Sequence, residues 1–170
     1  MPGPKTRIAH VGLGSNVGDR LANLRSARDR LAREARGGAT GLRSSSVYET
    51  EPIGAIGDQR DFLNACVTVE VALDPEPLLD LLKAIESEIG RRPGGPRHGP
   101  RAIDLDLLML EGVEHRSPRL TLPHPEIERR RFVLLPLLEL EPDLRHPGGD
   151  ALADALAAVE NQRVVRVGAL

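Results

Sequence analysis

Apolar residues fall at every second place over positions 62–73. Leu63, Ala65, Val67, Val69, Val71 and Leu73 line one side, and Phe62, Asn64, Cys66, Thr68 and Glu70 line the other. A period of two predicts a strand with one face in a core. Further strands are predicted at 7–13, at 41–50 (leaving the sheet near Pro52) and at 103–110. Between them the period changes to that of a helix. Leu21, Leu24, Ala27, Leu31 and Ala35 make one apolar stripe, with Asp19 as its cap and Gly37-Gly38 as its stop. Leu78, Leu81, Leu82, Ile85 and Ile89 make another, opened by Asp74 as cap with Pro75 at the first helical position and closed by Gly90.

Beyond residue 110 the pattern is more broken. Glu111-Gly112 predicts a turn into a short return strand at Val113-Glu114-His115. A helix is expected to start in the tract Glu126–Phe132, turn apolar over Val133–Leu140 and be interrupted by Pro136. An Ala/Leu helix is expected from Asp150 to Val159, and Val164–Leu170 has no assigned role. The order strand-helix-strand-strand-helix-strand predicts a ferredoxin-like α+β fold, a mainly antiparallel sheet with helices packed on it in αβα layers. No repeat and no linker divides the chain, so residues 1–170 are expected to form a single domain.

Composition narrows the classes. A net charge of −2 gives no global basic field for nucleic acid. One cysteine cannot form an internal disulfide and is too few for a zinc site, which suits a reducing cytoplasm. Met1–Lys5 lacks the apolar region of a signal peptide, and no apolar run reaches the ~18 residues of a membrane span. The expected setting is cytoplasmic, with small-molecule partners, no nucleic acid, no membrane, and a monomer as the working state. Aromatics are confined to Tyr48, Phe62 and Phe132, so a stacking site for a flat ligand has few candidates.

The densest chemistry lies in Arg97–Leu108. A Gly-Pro loop carries Arg97 and Arg101, and a strand then carries Asp104 and Asp106 at alternate positions, on the face opposite Ile103, Leu105 and Leu107. Two neighbouring carboxylates repel unless a cation lies between them, and oxygen ligands favour Mg²⁺, which completes its shell with water and phosphate. Guanidinium forks bind phosphate oxygens in bidentate fashion. Spacing alone leaves a surface strand with an incidental Asp-x-Asp equally open. Gly12, Gly14 and Gly18 imitate a dinucleotide fingerprint, but the spacing is one residue too long and no second βαβ half follows, so they are read as a tight strand-to-helix turn. Phe62 beside Asn64 suits either an edge contact with a turn hydrogen bond or a flat heterocycle needing stacking and edge recognition; the residues leave both open. The loop 51–61 is long enough to be functional, and the Pro/Gly-rich loop 91–96 suits a lid or a surface connection. Arg119 and Thr121 share a face, His124 sits between two prolines, and Arg129–Arg131 read as a solvated charge run.

Arg97–Leu108 resembles the signature of the 6-hydroxymethyl-7,8-dihydropterin pyrophosphokinase family. Other blocks fall in the family's order: Gly12-Leu-Gly-Ser-Asn16, Tyr48-Glu-Thr-Glu-Pro-Ile-Gly54, Asp61-Phe-Leu-Asn64, Gly90-Arg91, Leu120-Thr-Leu-Pro-His124, Arg130-Arg-Phe132 and Pro136-Leu-Leu-Glu139. The resemblance runs from about residue 8 to 147. It implies an ATP-dependent transfer of pyrophosphate to the pterin's hydroxymethyl group. By resemblance, Asp104 and Asp106 hold two Mg²⁺ ions on the ATP triphosphate, and Arg91 and Arg101 neutralise the transferring group. Arg119, His124 and Arg130 are further phosphate contacts with Thr121 beside them, and Lys83, Glu86 and Ile103 lie on the nucleotide side. The pterin lies between Phe62 and Phe132, its edge read by Asn64 and by the backbone of Thr50, Glu51, Pro52 and Ile53. Three positions depart from the family: His98 stands where some members close the pocket with tryptophan, Pro93 replaces a basic residue, and Glu51 replaces the first proline of a pair. The rivals are a nucleotide-sugar transferase, for which 170 residues leave little room, and a non-enzymatic ferredoxin-like small-molecule-binding module.

Overall fold

The structure, a computed structural model, describes residues 5–36, 38–52, 59–90 and 102–170. The alternating run becomes β4 (Phe62–Val71), the strand on which the sheet is assembled. On one side it pairs antiparallel with β1 (Arg7–Ser15), and β1 pairs antiparallel with β5 (Asp104–Leu110). On the other it pairs with β2 (Leu42–Ser44) and β3 (Ser46–Thr50). Among the described residues this gives a six-stranded sheet of order β5-β1-β4-β3, completed at the far edge by β8 (Val164–Ala169). The four strands of the β-α-β-β-α-β plan are thereby in the expected antiparallel arrangement, with β2 and β3 together making its second strand.

Two apolar cores lie on opposite faces. Helices α1 (Arg20–Glu34) and α2 (Pro75–Ile89) bury their stripes against Ala9, Val11, Leu13, Leu63, Val67, Val69, Leu105 and Leu107. Leu24, Leu31, Leu78, Leu82 and Ile85 are fully buried there. Each such side chain contributes roughly 1.5–3 kcal/mol by leaving water. Helix α3 (Arg131–Leu140) and a 3-10 segment, Leu152–Val159, cover only part of the other face, around Cys66, Leu108, Val133, Leu134 and Leu137. What they leave open is the pocket.

Several local expectations change. Gly12 and Gly14 lie within β1 and not in a turn; the turn comes later, where Gly18 takes φ 69°. Asp74 sits at the N-cap of α2 without a capping hydrogen bond, because its carboxylate faces Arg7 at 3.3 Å. The 41–50 strand breaks at Ser45, whose Oγ accepts Cys66 N and whose N donates to Cys66 O, both at 2.9 Å. The return strand after Gly112 does not fold back on β5. Instead β6 (His115–Arg116) pairs with β7 (Thr121–Leu122) as a separate ribbon, leaving a single bridge between Leu110 and Val113. The helix expected from Glu126 starts as a 3-10 turn at Ile127–Arg129 before α3, and Pro136 is accommodated inside α3. The 150–159 helix is of the tighter 3-10 type. Val164–Leu170, unassigned from the pattern, supplies β8.

Candidate active site

The register of the sheet places the chemistry in rows. Asp104 pairs with Gly14, Gly14 with Asn64, and Asn64 with Tyr48; one step along, Asp106 pairs with Gly12 and Gly12 with Cys66. With neighbouring strands ~4.8 Å apart, the Asp104 and Asn64 backbones stand about 10 Å apart across a floor of glycine. That floor belongs to a cavity of about 300 Å³ lined by Gly12, Gly14, Thr50, Glu51, Phe62, Asn64, Cys66, Lys83, Asp104, Asp106, Leu108, His124, Arg130, Phe132, Val133 and Pro136. Two dissimilar ends share one space: carboxylates with Lys83, His124 and Arg130, and aromatics with an amide.

The glycines are missing side chains for a reason. A Cβ on Gly14 would stand 3.0 Å from Asn64 Oδ1 and 3.6 Å from the Phe62 ring, and one on Gly12 would meet Leu108 at 3.6 Å. Asn64, almost fully buried, donates through Nδ2 to Thr50 Oγ1 at 2.6 Å, and this turns its Oδ1 over Gly14 as an acceptor. Phe132 opens α3 on the opposite wall, with the Arg130 guanidinium 5.9 Å from its ring centre. The sequence signal for the floor was glycine at alternate strand positions, which the dinucleotide comparison obscured.

At the other end Asp106 carries the strain. Burial first, then the negative charges of Asp104 and Glu86, push its carboxyl up to about 7, against the opposing pull of Arg130 and Lys83. Glu86 is buried and accepts Leu105 N at 2.8 Å, tying α2 to the strand that carries the aspartates; Lys83 Nζ lies 3.5 Å from it. Among the described residues no cluster of three or more ligating side chains exists. Two carboxylates held together against their own repulsion nevertheless fit a hard cation that keeps water or phosphate in its remaining positions. His124 is fixed by its own N–H to Leu108 O (2.8 Å), and its Nδ1 accepts from Glu126 N at 3.1 Å. This leaves the ring proton on Nε2. Burial and the Arg130 charge both lower its pKa, so it is a neutral donor.

Other expected residues lie elsewhere. Arg119 is half exposed and paired with Asp80 (2.6 Å) and Glu76 (3.4 Å), outside the pocket lining. Thr121 is in the β6–β7 ribbon, also outside that lining, and the Ile103 side chain is fully buried in the core beneath the sheet. The three-arginine run is not uniform: Arg129 is solvated, Arg130 enters the pocket, and Arg131 donates to the Gln162 carbonyl at 2.8 Å. Glu51 lines the pocket and pairs with Arg163 at 3.3 Å; Pro52 is half-buried beside it. Ile53, Arg91, His98 and Arg101, with Pro93 and Arg97, lie outside the described residues.

A ferredoxin-like sheet with a carboxylate-and-cation corner and an aromatic-amide corner in one cavity fits a class: a transferase joining a phosphorylated donor to a flat heterocycle. The comparisons make it particular. The family model for 7,8-dihydro-6-hydroxymethylpterin-pyrophosphokinase (HPPK) matches residues 10–142, and the chain belongs to that family. It is 42% identical over 159 residues to the 2-amino-4-hydroxy-6-hydroxymethyldihydropteridine pyrophosphokinase of Methylorubrum extorquens, covering 94% of this chain and 98% of the relative. It is 43% identical over 133 residues to the enzyme of the same name from Bacillus subtilis, covering 78% and 77%. The fold matches the wild-type HPPK-DHPS of Plasmodium falciparum with a TM-score of 0.65 at 17% identity, over 93% of this chain and 43% of that one. Among the described residues no helix is long and apolar enough to cross a membrane.

Proposed function

We propose that residues 1–170 act as a single domain that transfers the pyrophosphate group of ATP to the hydroxymethyl group of 6-hydroxymethyl-7,8-dihydropterin, releasing AMP, as a step of folate biosynthesis. The observation that carries this reading is the joining of the Asp104/Asp106 corner to the Phe62/Asn64/Phe132 corner across Gly12 and Gly14. A pterin between Phe62 and Phe132 meets the Asn64 Oδ1 acceptor at its N–H edge, with the backbone of Thr50, Glu51 and Pro52 as further edge contacts; Ile53 and His98 join this set by the family's pattern alone. Lys83 and Glu86 sit on the nucleotide side, and Ile103 contributes through its backbone.

Asp104 and Asp106 are the residues that would hold Mg²⁺, two ions by the family's pattern. The metal, when bound, supplies charge neutralisation and a template for phosphate oxygens. The remaining work belongs to donors placed around the phosphates. Arg130 and the His124 Nε2–H face the cavity, Arg91 and Arg101 come from the segment before β5, and Arg119 with Thr121 complete the set once Arg119 leaves its acidic partners. The hydroxyl attacks the β-phosphorus in line, and positioned donors stabilise charge on the transferring group and on departing AMP. A half-buried carboxylate pair beside cationic donors supports phosphate transfer over simple ligand binding.

Incubation with ATP, Mg²⁺ and the hydroxymethyl pterin tests the reading, with AMP and the pterin diphosphate expected. ADP, or no nucleotide product, overturns it. Arg101→Ala is expected to retain ATP and pterin affinity while losing about 10²–10³-fold in turnover; affinity falling in parallel with the rate would remove that role.

A further inference from the structure

Pro136-Leu-Leu-Glu139 has no part in the chemistry so far, yet its last residue, the one acid on α3, is heavily engaged. Glu139 accepts Ser46 N at 2.9 Å, Ser46 Oγ at 2.7 Å and Tyr48 O–H at 2.5 Å. Arg166 of β8 donates Nε to the same Ser46 Oγ at 2.8 Å. The position is electrically adverse, because a carboxylate in the last turn of a helix faces the negative end of its dipole. No basic residue occupies that turn. The donors from β3 offset the penalty, so this acid joins the helix to the sheet and does not stabilise the helix itself.

What is joined matters. Helix α3 is ten residues, about 15 Å, long. Its first turn carries Phe132 and Val133, its middle carries Pro136, and all three line the cavity. Its last turn is locked to β3, at Tyr48, the cross-strand neighbour of Asn64. The aromatic wall and the amide floor are therefore referenced to one strand, β3, on the side of the sheet away from Asp104 and Asp106.

We propose that Glu139, acting through Ser46 and Tyr48, is a positioning residue for the pterin, setting the gap between Phe132 on α3 and the Asn64–Gly14 floor while leaving nucleotide binding to the opposite edge of the sheet. This rests on the placement of the pterin between Phe62 and Phe132. The test compares Glu139→Gln, Tyr48→Phe and the double variant by calorimetric titration with a non-hydrolysable ATP analogue, and with the pterin in its presence. Each single variant is expected to weaken pterin binding about tenfold, with the double little worse than either, and to leave the analogue within about twofold. Equal losses for both ligands, or an unchanged pterin affinity, overturn the proposal. Tyr48→Phe removes one hydroxyl and keeps the ring, so it reports even where Glu139→Gln folds poorly. Phe132→Ala separates the two levels. If it leaves pterin affinity intact, the pterin placement itself fails. If it weakens pterin binding and the Glu139 and Tyr48 variants do not, only the positioning role fails.

Discussion

The two faces of the sheet are made by alternate residues of the same strands, and they share almost nothing in composition. Beneath, β1 contributes Ala9, Val11 and Leu13, β4 contributes Leu63, Val67 and Val69, and β5 contributes Leu105 and Leu107, all sealed by α1 and α2. Above, the same strands contribute His10, Gly12 and Gly14, then Phe62, Asn64 and Cys66, then Asp104 and Asp106. One face is ordinary packing. The other carries absent side chains, a raised carboxyl and a floor that only a ligand fills. Odd and even positions divide stability from chemistry, and the fully packed lower face is what permits the upper one to leave a cavity beside its smaller core.

If that division is real, the largest effect comes from the aspartates. Asp106→Asn is expected to lower turnover about 10²–10³-fold, measured as AMP release, while holding or raising the thermal midpoint, because a crowded charge is removed. A variant that melted early and kept its rate would break the comparison. The lower face should answer in the opposite currency. Leu82, fully buried on α2, should cost about 2–5 kcal/mol of unfolding free energy as Leu82→Ala in urea titration, with both KM values little changed in the folded fraction. Gly14→Ala probes the boundary. Its methyl would stand 3.0 Å from Asn64 Oδ1, so pterin binding should weaken by about 1–3 kcal/mol in a titration that leaves the ATP analogue alone.

The smallest effect is one of pH. Asp106 is raised from 3.8 to about 7. A carboxyl with a raised folded pKa makes the metal-free protein lose stability as pH climbs from about 4 towards 7. Below 7 a cation must also displace its proton, weakening binding up to tenfold per pH unit. Mg²⁺ should therefore raise the melting temperature more at pH 8 than at pH 6, and Asp106→Asn should abolish the difference.

Much of this was legible from pattern. Period two at 62–73 located β4, the stripes at 21–35 and 78–89 located α1 and α2, and the Asp-x-Asp spacing placed both carboxylates on one face. What escaped was decided at a distance. Asp74 reads as a cap, yet Arg7, distant in sequence, takes its carboxylate. Nothing near Arg119 in the sequence announces Glu76 and Asp80, the α2 acids with which it pairs. β8 has a weak alternation because it is an edge strand with Val165 and Val167 half exposed, so no strong period marks it. Glu139 stands in one of the family's blocks, but nothing local shows what it holds, since its partners come from residues 46 and 48.

One irregularity in β5 has a consequence for how this strand tolerates change. Opposite β1 the register slips between His10 and Val11, so Leu108 is an extra residue, and it is this residue that gives its carbonyl to His124. The slip works as a phase shift. Upstream of it, even positions face the ligand; downstream, Met109 faces that side and Leu110 turns to the lower core. Deleting a single residue after Asp106 would leave the acidic motif intact to the letter and absorb the extra residue, so the strand's apolar end would keep its faces while the bulge that presents the Leu108 carbonyl to His124 is lost. A one-residue deletion here is therefore felt at His124 and not in the lower core.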